Sequence, residues 1–104
     1  MKNVKTPTSD SWSDALIQSL KNPERAVGYI EAVLEEKNPE PELLSSALKD
    51  VIAARLLCDN LSEEAKQHFE KLDTILSETG GTEIYTLVEF LDALGFRIAI
   101  IPKD

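Results

Sequence analysis

A chain with one cysteine cannot close an internal disulfide, and Cys58 has no second cysteine and no cluster of histidines with which to complete a metal site. Set beside Leu56 and Leu57, Cys58 is expected to be a buried, inert thiol of a reduced, cytoplasmic protein. His68 is the only histidine, and no nucleophile motif, glycine-rich phosphate loop or pair of poised carboxylates accompanies it. Its simplest place is on a helix, exposed or half-buried. No enzyme activity and no cofactor is therefore expected. Runs of about 20 apolar residues are missing, which excludes a helical membrane span, and the polar start has no apolar core of a signal peptide. Positive charge is also scarce: 11 basic against 19 acidic residues leave a net charge of -8. Such a surface repels phosphate backbones, so any contact with nucleic acid needs a local basic face.

What the chain does have is aliphatic bulk. Hydrophobic residues make up 42% and aromatics only 6%, the balance of a core built from Leu, Ile, Val and Ala. At 104 residues this is one domain with one core. Residues 1–10 have little to bury and read as a flexible arm, with 11–104 as the single domain. A short helix can start at Ser11 or Ser13, with Trp12 as a lid over the core. Asn22-Pro23-Glu24 is a strong helix start: a side chain that caps, proline at the first helical position, and an acid near the positive end of the dipole. Ala26, Val27, Ile30, Val33 and Leu34 give that helix its apolar stripe, while Glu31, Glu35 and Glu36 read as a solvated face. Asn38-Pro39-Glu40 repeats the device, and the helix it opens, through Leu44, Ala47, Val51 and Leu56, is expected to be the longest and the central one.

The region 58–79 allows two readings. Either one helix covers 62–78, or a short helix near 59–66 and a second near 68–78 form a helix-turn-helix. Gly80-Gly81 then breaks the chain, and Thr82 opens a helix with Ile84, Leu87, Val88, Leu91 and Leu94 on one stripe. Gly95 suits a left-handed stop, and Phe96–Ile101, closed by Pro102, reads as a short β-strand. A lone strand needs a partner. The expected one is its symmetry mate, with Phe96, Ile98 and Ile100 at the interface of a homodimer.

Taken together, Ser19-Leu20-Lys21-Asn22-Pro23-Glu24, Tyr29 to Glu36, Asn38-Pro39-Glu40 with Leu43 to Val51, and Ala53-Ala54-Arg55 resemble the N-terminal half of the small bacterial addiction-module antidote proteins. Leu76-Ser77-Glu78, Gly80, Thr86-Leu87 and Phe90-Leu91-Asp92-Ala93-Leu94-Gly95-Phe96-Arg97-Ile98 resemble the same family's ending. The two Asn-Pro starts and the Gly95 stop point to an all-α domain of about five helices, and the resemblance implies a lambda-repressor-like DNA-binding domain, dimeric, repressing its own promoter and often encoded beside a toxin of the relaxation-protein type. Counted back from Leu76-Ser77, the family's turn glycine falls on Lys66 and its recognition-helix cap on His68, while positions usually basic or polar hold Phe69, Glu70 and Asp73. That leaves Lys66, Gln67, Lys71 and Thr74 as the residues expected to meet DNA. With so few positive charges the binding is expected to be weak and strongly salt-dependent. The alternative is a descendant that has given up DNA and binds protein only, setting the acidic helices 24–42 against a basic toxin.

Overall fold

The computed structural model describes residues 9–103. Among them are five helices, α1 (Ser9–Ser19), α2 (Pro23–Leu34), α3 (Leu43–Leu57), α4 (Glu63–Thr79) and α5 (Thr82–Ala93). The protein is all-α. Of the arm expected over residues 1–10, the part through residue 8, including Lys2 and Lys5, lies outside the described residues, and α1 already takes in Ser9 and Asp10.

The helix starts follow from local chemistry. The Asn22 side-chain oxygen accepts the Glu24 N–H at 2.9 Å and Pro23 stands at the first position of α2. Asn38-Pro39 does not repeat this: α3 starts only at Leu43, behind Glu42, whose side chain makes no capping bond. Pro41 is the physical reason, because a proline pushes the residue before it out of the helical region and so blocks a helix passing through Glu40. α4 is continuous for 17 residues and exceeds the 15 of α3, so the longest helix is not the one expected from sequence. Its start is set at Ser62, whose hydroxyl accepts the Ala65 N–H at 3.0 Å. With one helix there, no turn separates Lys66 from His68.

α3 is the central element and packs on α1, α2 and α4. Two apolar clusters result. In one, Leu20 and Ala26 close on Ala54, with Leu16, Ile17 and Val51 around them. In the other, Val33, Leu44, Ala47, Leu76 and Tyr85 bring together residues of α2, α3, α4 and α5. Several stripes read as core are only partly covered. Trp12 is 67% exposed, so it is no lid, and Leu56 is 60% exposed at the end of α3. Cys58, expected to be buried, is exposed. Leu56 and Cys58 stand at the end of α3 and Trp12 in α1, and periodicity alone does not say where a covering layer ends.

Gly80 and Gly81 make the corner between α4 and α5 with φ of 68° and 81°. The Gly80 N–H closes α4 on the Leu76 carbonyl at 2.8 Å. A Cβ on Gly80 would lie 3.3 Å from the Cα and Cβ of Pro41, whereas one on Gly95 meets nothing within 4 Å. Both positions are left-handed, so alanine costs about 1–2 kcal/mol at either. Gly80→Ala is expected to lose more than Gly95→Ala in urea denaturation, and equal losses would mean that the Pro41 loop gives way.

The β-strand expected over Phe96–Ile101 is not formed, and no strand occurs among the described residues. A strand needs a ladder partner and the helical chain offers none. Instead the segment is tied to α2. The Ile100 N–H donates to the Glu31 carboxylate at 2.7 Å, and the Arg97 Nε donates to Glu35 at 3.1 Å. Glu31 and Glu35, one turn apart on α2, are thus a two-point clamp rather than a purely solvated face.

Candidate functional site

Two surfaces bear on function, and they are made in different ways. The first is the outward side of α4. A helix capped by Ser62, with Glu63 and Glu64 in its first turn, turns Phe69, Leu72 and Leu76 inward and leaves Lys66, Gln67, Lys71 and Thr74 exposed. The four DNA-contact candidates therefore share one open side. Glu63, Glu70 and Glu78 are exposed along the same helix, so its field is not positive. The Thr74 hydroxyl donates to the Glu70 carbonyl at 3.0 Å, which occupies the proton it would use toward an acceptor on a base. His68 is exposed and sits 3.8 Å from Glu64, a separation that contributes little at a surface. Asp73 is turned toward α3, where the Ser45 hydroxyl donates to it at 2.5 Å.

The turn that carries α4 is well defined. After α3, Asp59 takes a left-handed φ of 51°, and the Asn60 N–H returns to the Arg55 carbonyl at 2.9 Å. α3 and α4 are thereby two packed helices joined by a tight turn.

The second surface is an open cleft of about 430 Å³ between the end of α2, the side of α5 and the segment after Gly95. Leu34, Tyr85, Val88 and Ile98 supply its apolar lining. Around them stand the carboxylates of Glu35, Glu36, Glu89 and Asp92, against the cations Lys37 and Arg97. Arg97 is already committed to Glu35. The cleft is held open by Tyr85, whose hydroxyl donates to the Val33 carbonyl at 2.9 Å and links α5 to α2 across 52 residues of sequence. Burial raises the pKa of this phenol, and the charge of Glu36 raises it further, so the hydroxyl stays protonated and keeps donating. Tyr29, on the other side of α2, is pushed up to about 12 by burial first and then by its hydrogen bond to Asp50.

The interface residues expected from sequence are not one surface. Phe96 is exposed and lines the cleft, while Ile98 and Ile100 are half-buried against their own chain. Sequence reasoning did not find the cleft. Its walls lie some 50 residues apart, and the one available signal was the i, i+4 spacing of Glu31 and Glu35. Among the described residues no group of His, Cys, Asp or Glu is placed to hold a metal, and no helix is long and apolar enough to cross a membrane. No protein-family model matches the chain, and neither a curated protein nor a solved structure matches it.

Proposed function

We propose that this chain is an antitoxin-like regulator that holds a basic, toxin-type protein in its acidic cleft and touches promoter DNA, as a dimer, through α4. The observation that carries this reading is the cleft, in which carboxylates from α2 and α5 surround an apolar floor. A lysine or arginine side chain fits such a place twice over, its stem on Leu34 and Val88 and its charge against Glu89 and Asp92. The overall charge of -8 works the same way, drawing a cationic partner in from a distance.

Support for the DNA contact is narrower: α3 and α4 are packed helices joined by the tight turn at Asp59, and Lys66, Gln67, Lys71 and Thr74 are exposed along α4. Two lysines per copy are few for phosphate binding, so this contact is the weaker of the two and fades quickly with salt.

One set of titrations tests both. Fluorescence anisotropy at low salt follows DNA from upstream of the protein's own gene, and separately the small basic product of the adjacent reading frame. Lys71→Glu is expected to weaken DNA binding alike on every sequence, and Gln67→Ala to relax preference at one base position. Glu89→Lys with Asp92→Lys should lower affinity for the basic protein by about tenfold or more and leave DNA binding no weaker. Tight binding of the protein without any binding of DNA would leave a protein-binding module alone. Binding of neither sinks the proposal.

A further inference from the structure

The side of α5 turned away from the core is apolar and uncovered. Tyr85 is buried, and Ile84 and Val88 are half-buried against the body. On the opposite side Leu87, Phe90 and Leu94 are 52%, 59% and 56% exposed, with Leu91 half-buried beside them. A helix with apolar residues on both sides is normally a buried helix. Nothing among the described residues buries this one.

We propose that α5 of a second copy covers this face, antiparallel to the first across a two-fold axis, and that this contact, not Phe96–Ile101, joins the dimer. The spacing points to a copy of the same chain. From Leu87 to Phe90, Leu91 and Leu94 the steps are three, one and three, which read the same from either end. An isologous contact requires that property: Leu87 meets the partner's Leu94, and Phe90 and Leu91 of both copies surround the axis. Charge selects the antiparallel sense. Glu83 stands in the first turn of α5, so parallel packing would set it beside its own symmetry mate, whereas antiparallel packing puts the two at opposite ends and opposes the helix dipoles.

The area agrees. Side chains of this size at those exposures show roughly 100 Å² each, so Leu87, Phe90 and Leu94 offer on the order of 300 Å² per copy. That matches the largest apolar patch of a typical monomer, the kind that is often an interaction site. Doubled, that is about 600 Å² of apolar surface, and with Leu91 and a polar rim of the usual proportion the contact reaches about 1,000 Å², the lower end of specific interfaces. The C-terminal segment is a poorer candidate, since Ile98 and Ile100 are half-buried in their own chain and the Ile100 N–H is held by Glu31.

Sedimentation velocity of the full chain across the micromolar range reads the result. The parent protein is expected to be a dimer, and Phe90→Glu, which sets a charge beside its own symmetry mate, should raise the dissociation constant about thirtyfold or more. Because Phe90 is exposed, its helical circular dichroism should not change. Ile100→Lys should leave the mass unaltered. Orientation is read in a Cys58→Ser background: Leu87→Cys mixed with Leu94→Cys should give a disulfide-linked pair under oxidation, and Leu87→Cys alone should not. A monomeric parent protein overturns the proposal, as does a dimer that survives Phe90→Glu and is lost with Ile100→Lys. None of these readouts involves DNA or the basic protein, so a dimer joined elsewhere overturns this interface and leaves the proposed function to its own titrations.

Discussion

Leu76→Ala is expected to remove about 3–4 kcal/mol of unfolding free energy, a large part of what a domain of this size possesses. Leu76 is 2% exposed and is the one large side chain in the described structure that is fully buried. It clusters with Val33, Leu44, Ala47 and Tyr85, so residues of three other helices lose a neighbour together. The cavity cannot close easily, because the corner directly after α4 is fixed by two left-handed glycines and Gly80 stands against Pro41. Urea denaturation followed by circular dichroism measures the loss, and Leu76→Met, which nearly conserves volume, should cost under about 1.5 kcal/mol. A loss below about 1 kcal/mol for the alanine variant would show that the α4–α5 corner relaxes and that Leu76 is not the centre of this core.

Tyr85→Ala should cost about as much, 3–5 kcal/mol, and Tyr85→Phe far less, about 0.5–1 kcal/mol. Tyr85 is the only residue of α5 in the buried core, at 7% exposure, so its ring is what holds that helix to the body. The hydroxyl matters less, since the Val33 carbonyl that it meets also accepts the N–H of Glu36 at 3.3 Å and is not orphaned when the phenol goes. Thermal melts of the two variants make the comparison. The alanine variant should also lose affinity for a basic partner, because Tyr85 forms part of the cleft wall. If Tyr85→Phe destabilises as much as Tyr85→Ala, the hydrogen bond rather than the ring anchors α5.

Where a single residue decides local geometry, the sequence was readable. Asn22 capped α2, Gly80-Gly81 broke the chain, and Gly95, at φ 92°, ended α5 with the Phe96 N–H returned to the Leu91 carbonyl at 2.8 Å. Asn38-Pro39 misled because Pro41, two residues on, vetoes what Pro39 permits. Periodicity named which residues share a side, but not whether anything lies over that side. Trp12, Leu56, Leu87 and Leu94 fitted their stripes and are nevertheless exposed. The strand failed for a related reason: β-branched residues favour extended backbone, but a ladder is made by two segments and the chain has one. Of the candidate surfaces, the open side of α4 followed from its helical period. The cleft did not, because the Tyr85–Val33 bond and the tethers of the last residues join α2 to the end of the chain across more than 50 residues.

Those tethers also set an order of events in time. α1, α2, α3 and α4 follow one another in the chain and dock on their neighbours, the kind of contact that forms quickly and while synthesis continues. The cleft is different: the bonds that make it span 52 residues from Tyr85 to Val33, 62 from Arg97 to Glu35 and 69 from Ile100 to Glu31. On the ribosome a nascent chain can therefore present a folded α1–α4 body while one wall of the cleft is still unmade. Under the proposed function, capture of a basic protein waits until residues through Ile100 have emerged, so a pulse-labelled, stalled chain ending before α5 should fail to retain that protein while the released chain holds it.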